Sequence, residues 1–464
     1  MKATSDCTMG RTPRRLGIIG AGWAGLAAAV AATQAGMQVS LWEAARHPGG
    51  RARTVTLETG LDAPCQLDNG QHILIGAYGR SLRLMQQVGV DPEQMLLRLP
   101  LDLRDSQGQG LAFANLPAPW DGLLGVWRAS GWTWSQRWAL LRHLLRWQMA
   151  GFRAPPRQTV AQLCQHLPAA LLDGFIEPLC VAALNTPVQQ ASAQVFLRVL
   201  QDSMLGGPGS SNLLIPRVPL GELLAEPAWH WLALQQVRLA SGRRVQRLEP
   251  LLAADGQSIA GWRVDGRECD AVLLATHSAE ALRLLSQLTQ EQPALAAPLQ
   301  DWLHTTAQLA HEPIATVYVR LQGHPPDTSL LPRPMLMLHP TAEHPAQFAF
   351  DRQALTGDTG LLALVTSTSR GSRQHLEAQC LQQAAQLLNL PADRLTAVGT
   401  VVEKRATFAC TAGLARPAMQ PLPGLGSLLV CGDYIDGPYP GTLEGAVRSG
   451  ENAVAAWLQP TPPN

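Results

Sequence analysis

A chain of 464 residues is long enough for two or three domains around a sizeable core. Charged residues make up 15% of it and hydrophobic residues 46%, against roughly 25% charged in ordinary soluble domains, which excludes disorder and points to extensive buried or lipid-facing surface. A formal net charge of +1 gives no argument for nucleic-acid binding, and eight cysteines with no CxxC pair and no His at finger spacing argue for a reducing compartment and no metal site.

At the N-terminal end, Arg11, Arg14 and Arg15 precede an uncharged stretch, Leu16–Trp42, that imitates a secretory signal or a membrane span. Three regularly spaced glycines, polar Thr33 and Gln34, and Gly36 break that imitation. A strand–turn–helix–strand unit explains the same residues better. Leu16–Ile19 suits a buried parallel strand, Gly20-Ala21-Gly22-Trp23-Ala24-Gly25 follows at once, Leu26–Ala35 reads as a helix ended by Gly36, and Gln38–Trp42 reads as a second strand closing on Glu43. Each position has a physical task. The first glycine permits a tight turn, the second lets a pyrophosphate approach the backbone, and the third lets helix and strand pack closely. The helix N-terminus faces the phosphates, and a carboxylate at the end of the second strand accepts from ribose hydroxyls.

The stretch after Glu43, Arg46-His47-Pro48-Gly49-Gly50-Arg51, sets a second glycine pair and an arginine close to the phosphate turn. That suits FAD over NAD, as a longer, more anionic ligand whose flavin end must be accommodated. Glu43–Arg51 resembles the segment after the fingerprint in the flavin amine oxidase and phytoene desaturase superfamily. Many members carry an arginine two residues after the glutamate; here that position is Ala45, so Arg46 or Arg51 takes the phosphate role. Asp68-Asn69-Gly70-Gln71-His72 follows. In this superfamily the comparable stretch passes close to the isoalloxazine ring, which makes Gln71 a cofactor contact and His72 either a participant in the chemistry or a turn histidine.

Ala77–Val88 is a predicted helix. Residues 120–150 then hold six of the thirteen tryptophans, with Arg128, Arg137, Arg142 and Arg146 interleaved with leucines. Such a segment either lies in a membrane interface, rings at headgroup depth and guanidinium groups on phosphate, or forms a pair of core helices. Further helices are expected over Leu171–Ala183 and Ala193–Met204, a strand over Asn212–Ile215 and a short helix over Pro219–Leu224. Gln236–Leu239 and Arg243–Leu248 read as strands; the resemblance makes Val245 the residue whose backbone meets the adenine edge. Asp270–Ala275 is a buried strand running into Thr276-His277. Ile314–Leu321 alternates like a strand with one solvated face, Leu361–Thr366 is buried, and Gln374–Leu388 is a helix. Together these describe an antiparallel sheet with helices on one side.

At the C-terminal end Ser427–Cys431 is a strand, followed by Gly432-Asp433-Tyr434 and by Gly441-Thr442-Leu443-Glu444-Gly445, which opens a helix to about Leu458. Asp433 can accept from ribityl hydroxyls. The helix start at Thr442 and Leu443 aims its positive end at the flavin carbonyl region, where it would stabilise the anionic reduced ring. The resemblance implies a Rossmann-like FAD-binding domain of the GR2 type, within an α/β fold. This domain is taken as three parts (14–75, 216–290 and 396–464). It interleaves with a helical part facing substrate or membrane (76–215) and an α+β substrate domain carrying the antiparallel sheet (291–395).

Over nearly its whole length the chain also resembles one branch, the squalene-associated FAD-dependent desaturases, understood as the hydroxysqualene dehydroxylases of bacterial hopanoid biosynthesis. The residues that carry this are Leu67–His72, Phe175-Ile176-Glu177-Pro178-Leu179, Leu213–Pro219 and Gly432–Gly450. The branch implies reductive removal of an allylic hydroxyl from hydroxysqualene, a thirty-carbon isoprenoid. No motif identifies the proton donor to the leaving hydroxyl. His72, Lys404 and Glu444 are candidates because they sit in segments expected near the ring, and each reads equally as structural, Lys404 as part of the exposed charge run Glu403-Lys404-Arg405 and Glu444 as a helix cap. Two rivals share the fold: a carotenoid-type desaturase running hydride the other way, and a non-enzymatic lipid escort, against which the retained Glu43, Gly49-Gly50-Arg51 and Asp433 argue. Four tyrosines are too few to argue for an aromatic cage around an amine. No second GxGxxG occurs, so the reductant is expected to be external, free NAD(P)H or a separate carrier. The expected location is the cytoplasm, with peripheral contact on the inner face of the cytoplasmic membrane through 120–150.

Overall fold

The computed structural model describes residues 14–57, 65–117, 119–256, 258–367, 372–421 and 427–459; Cys7 and Arg11 lie outside them. In chain order the strands of its two large sheets are β1 (Arg15–Ile19), β2 (Gln38–Trp42), β3 (Arg238–Ala240), β4 (Ala271–Leu274), β5 (His311–Leu321), β6 (Met335–Met337), β7 (Phe348–Asp351), β8 (Leu361–Ser367), β9 (Leu395–Phe408) and β10 (Leu428–Val430). The helices used below are α1 (Trp23–Gln34), α2 (Gly79–Gln87), α3 (Trp120–Arg128), α4 (Trp134–Met149), α5 (Ala193–Leu205), α6 (Ser278–Glu291), α7 (Arg373–Leu388) and α8 (Leu443–Leu458).

The first sheet is parallel, in the order β3-β2-β1-β4-β10. β1 and β2 carry near-continuous apolar runs because they are covered on both faces, so alternation would be unfavourable there. Helix α1 is buried nearly all round. Its alanines let α8 approach so closely that a Cβ on Gly450 would lie 2.1 Å from the carbonyl oxygen of Ala24. That contact joins a segment near residue 24 to one near residue 450 and sets the start of α1 against the middle of α8.

The second sheet is antiparallel, in the order β6-β7-β8-β5-β9. The expected solvated face on β5 is not found. Ala315, Val317 and Val319 pack with Cys380 and Ala384 of α7, while Tyr318 turns the other way against Leu67, Ile215 and Phe350. Both faces are covered, the second by strands from the N-terminal half of the chain. β9 pairs along β5 as far as Phe408, so this sheet extends past residue 395 and the chain rejoins the parallel sheet only at β10.

Two other expectations are corrected. Residues 243–247 are irregular, and strand structure resumes at Leu248–Leu252. The helix expected over Leu171–Ala183 is broken by a π turn at Leu172–Ile176 before Glu177–Leu184, and the short helix near Pro219 is a second π turn, Gly221–Ala225, before Glu226–Leu234. Both turns precede a Glu-Pro pair. Pro178 and Pro227 lack an N–H and crowd the carbonyl four residues back, so the backbone widens there instead of continuing.

Candidate active site

The turn from β1 into α1 has the geometry that its glycines require. Gly20 has φ +106°, and a Cβ there would meet the carbonyl oxygen of Ala275 at 2.6 Å. A Cβ on Gly25 would lie 1.9 Å from the carbonyl oxygen of Gly20, so the third glycine is what lets α1 start against the turn. Gly22 is the N-cap of α1 and offers no side chain, which leaves the first-turn N–H groups uncapped at the strands' carboxyl ends. Trp23 and Ala24 open the helix and are buried.

Glu43 is held where β2 ends. Its carboxylate accepts from the Ala21 N–H and the Ala45 N–H, both at 2.7 Å, so it links the glycine turn to the chain after β2 and keeps lone pairs free. The Gly49 N–H donates to the Ala21 carbonyl at 2.8 Å, setting Gly49-Gly50 alongside Ala21-Gly22. Arg46 is exposed on a bend, whereas Arg51 runs inward and donates to the Ala406 carbonyl at 2.7 Å and to Asp433. Of the two arginines, Arg51 is the one that borders the cradle. Burial disfavours its guanidinium, but Asp433 keeps it above its usual range.

Asp433 is 7% exposed and follows Gly432, whose missing side chain makes room for the Tyr434 ring. The Gly441 N–H donates to the Asp433 carbonyl at 3.1 Å, and Thr442 caps α8 by accepting from the Gly445 N–H at 2.9 Å. Leu443 begins the helix there. The Arg51–Asp433 pair and the Gly450 contact therefore close one cradle from residues nearly 400 apart in sequence.

Val245 is buried and its carbonyl is taken by Arg283 at 2.7 Å. Gln71 donates to the Tyr318 hydroxyl at 3.1 Å, and that hydroxyl donates to the Asp68 carbonyl at 2.8 Å. Behind them Asp68 is paired with buried Arg352 at 3.0 Å. The Asp68–His72 stretch is thus fixed from the antiparallel sheet.

The three candidate donors fare differently. Glu444 is fully buried, and its carboxylate accepts from the Arg80 N–H, the Ser81 N–H, the Ser81 hydroxyl and Arg448. It anchors the start of α2, a structural role. His72 lies 3.1 Å through Nδ1 from the Gly70 carbonyl, so Nδ1 carries the hydrogen and Nε2 is a bare acceptor; burial, with Arg51 nearby, lowers its affinity for a second proton. In this tautomer Nε2 can accept a hydrogen bond but has no proton to give. Lys404 is exposed on β9, its side chain with no ion pair or hydrogen bond among the described residues.

The reading from sequence passed over a histidine pair. His277, directly after β4, accepts from the Ala279 N–H through Nδ1 at 3.2 Å and thereby caps α6. Nε2 must then carry the hydrogen, and it is buried without a partner. Its ring centroid lies 4.6 Å from that of His311 on β5. Burial, Arg51 and His311 push His277 down to about 3. The available signal was its position, since ligands in parallel sheets lie beyond the carboxyl ends of the strands.

A flavin dinucleotide fits this cradle on three grounds. A Cβ at Gly22 would stand in the cradle with only the Gly50 Cα within 4.0 Å, the α1 start is uncapped, and buried donors or acceptors lacking partners stand on its bordering segments: Trp23 Nε1, Asn69 Nδ2, Thr276 Oγ1, His277 Nε2 and the Tyr434 hydroxyl. Separately, an apolar cavity of about 40 Å³ lies under α3, α4 and α5, lined by Val126, Leu140, Leu144, Trp147, Phe175 and Leu200 among others and by no cradle residue.

A family model described as flavin containing amine oxidoreductase matches residues 23–458. A hydroxysqualene dehydroxylase of Rhodopseudomonas palustris is 27% identical over 94% of this chain and 96% of its own length, and one of Zymomonas mobilis is 24% identical over 94% and 97%. The solved structure of an oxidoreductase from Methanosarcina mazei has a TM-score of 0.67 at 15% identity, covering 94% of this chain and 99% of that one. Cyclohexylamine oxidase from Brevibacterium oxydans has a TM-score of 0.63 at 15% identity, covering 96% and 99%. At such identities the structural likeness is one of fold.

Proposed function

The chain belongs to the flavin containing amine oxidoreductase family, and from that premise we propose that it is an FAD-dependent hydroxysqualene dehydroxylase, removing the allylic hydroxyl of hydroxysqualene reductively to give squalene. The observation that carries this reading is the end-to-end match with two dehydroxylases, each aligned over 94% of this chain. The preference for FAD is supported by the two-part cradle, long enough to run from Glu43 past Arg51 to the start of α8.

The residues would divide the work by position. Glu43 would hold ribose hydroxyls, the uncapped start of α1 and Arg51 the pyrophosphate, and Asp433 the ribityl hydroxyls, with the start of α8 at the ring. Bound FAD, reduced from outside by NAD(P)H or a carrier, would supply the hydride that replaces the hydroxyl. The overall change consumes one proton and one hydride and releases water. Asp68, Arg352, Tyr318 and Gln71 hold the His72 segment rigid, so a reacting carbon placed against it keeps its distance from the ring. His277 offers a fixed N–H at Nε2 for an oxygen atom, and His72 a fixed lone pair. Both rings are held neutral by burial and by Arg51, which keeps unpaired charge away from an apolar substrate.

The test is a single turnover. Purified protein with its flavin reduced anaerobically should convert added hydroxysqualene to squalene, with about one squalene per flavin and return of the oxidised flavin spectrum. Inert reduced protein, with an oxidised form that desaturates an isoprenoid chain, would overturn the proposal in favour of the desaturase.

A further inference from the structure

Twelve large apolar side chains are exposed among the described residues, and eight of them lie between Leu116 and Met149. Their placement is regular. On α4, at 100° per residue, Trp134, Trp138, Leu145 and Met149 fall within about 60° of one another. All four are exposed, Trp138 and Met149 by 62% and 74%. The opposite side of the same helix carries Leu140, His143 and Trp147, which are buried. Helix α3 repeats the arrangement, with Trp120, Leu123 and Trp127 on one exposed stripe opposite buried Gly122 and Val126. The two stripes meet edge to face, the Trp127 and Trp134 rings 4.7 Å apart. Arg137 locks the junction, its guanidinium 4.6 Å from the Trp134 ring centroid and donating to the Ala129 carbonyl at 2.8 Å.

Charge around this face is one-sided. Arg128, Arg142, Arg146 and Arg153 are exposed around the stripes. The only acidic residue in 120–153 is Asp121, which is buried and accepts from the Gly122 N–H and the Ser211 hydroxyl. A core helix pair would not keep its tryptophans outside, and a large exposed apolar patch marks an interaction surface. Aromatic rings flanked by arginines, with no exposed acid, match an apolar boundary that carries negative headgroups. Among the described residues no helix is long and apolar enough to cross a membrane, so the face can lie on a bilayer but these helices cannot span it.

We propose that the α3–α4 hairpin docks on the surface of a bilayer containing anionic lipid, with Trp120, Trp127, Trp134 and Trp138 at headgroup depth and the arginines on phosphate. The inner faces of the same two helices line the apolar cavity through Val126, Leu140, Leu144 and Trp147. Docking therefore places a single helical layer between the lipid and that cavity. The docking does not depend on the dehydroxylase reading, because binding to lipid needs neither substrate nor flavin chemistry.

The experiment is sedimentation of the purified flavoprotein with vesicles of phosphatidylcholine, with and without phosphatidylglycerol, at low and high salt. Binding should require phosphatidylglycerol, weaken with salt, and shift tryptophan emission to the blue. The double variant Trp138→Ala/Met149→Ala should bind at least about tenfold more weakly, since it removes two of the most exposed apolar side chains from the docking face. Arg142→Gln/Arg146→Gln should lose the lipid-charge dependence. An unchanged circular dichroism spectrum and flavin content would establish that both variants are folded. Wild-type protein that stays in the supernatant, or variants that bind as well as wild type, would overturn the proposal. So would concentration-dependent self-association abolished by the Trp138 variant without vesicle binding, which would assign the face to a second copy of the chain.

Discussion

Glu444 has no exposed atom, yet its carboxylate meets four donors, three of them at the first turn of α2 and one on Arg448. Removing it strands those donors in the interior. Glu444→Ala should cost roughly 3–5 kcal/mol of stability, the range for breaking a buried charged network, while turnover per bound flavin in the folded fraction stays near wild type. Thermal denaturation alongside flavin-normalised activity separates the two effects, and a stable variant without turnover would restore Glu444 as a donor. His277 makes the opposite case, a buried base kept neutral. Its affinity for a proton is pushed down to about 3 in the folded protein, against about 6.5 in an unfolded chain. Between those values the unfolded chain binds a proton that the folded one refuses. Stability is therefore complete above about pH 6.5 and is lost as the pH falls toward 3. In flavin-free protein the urea midpoint should drop from pH 7 to pH 5 more steeply for wild type than for His277→Asn. Asn can still cap α6. His72 and His311 are shifted in the same direction, so the variant should remove only part of the slope. Equal slopes would mean that His277 is not the titrating group.

Among the elements, the contact that decides the cradle is the crossing of α1 and α8. Gly450, in the middle of α8, sits where a Cβ would lie 2.1 Å from the Ala24 carbonyl oxygen, so the first turn of α1 or the whole of α8 has to shift to admit one. Gly450→Ala should cost about 1–3 kcal/mol by overpacking, and should release flavin on gel filtration because the first turn of α1, which borders the site, is pressed. Gly79→Ala, at an open position with nothing within 4 Å, is the control and should stay within about 0.5 kcal/mol. Retained flavin and stability in Gly450→Ala would show that the crossing is looser than the geometry implies. The π turns are a second lesson at this scale. Periodicity over Leu171–Ala183 reads as one helix, and the apolar spacing is indeed helical on either side, but Pro178 forces a widened turn between them. A proline inside a periodic segment was the visible signal.

At the scale of the whole molecule, the site is assembled by two sheets that exchange segments. Tyr318 and Arg352 from the antiparallel half hold Asp68, Gln71 and with them the His72 stretch, while Arg51 from the nucleotide half reaches Ala406 near the end of β9. What the amino-acid sequence determined by itself is whatever short-range sterics dictate: the Gly20–Gly25 turn, Glu43 at a strand end, the Gly49-Gly50-Arg51 run, the Thr442 cap, and the uneven supply of tryptophan and arginine over 120–150. Spacing along a few residues fixes those, since a glycine with positive φ or an N-cap hydroxyl needs only its immediate neighbours. Only the tertiary structure decided that Arg51 and not Arg46 borders the cradle. It alone showed that Glu444 braces α2, that His72 is an acceptor, that His277 meets His311, and that β5 is covered on both faces. Apart from His72, whose Nδ1 is fixed by the Gly70 carbonyl two residues away, each of these depends on which distant segment supplies the partner. A carboxylate, an imidazole or an apolar strand reads the same in sequence whether its partner is water or a residue three hundred positions away, and burial and hydrogen bonding, which set its chemistry, are properties of that partner.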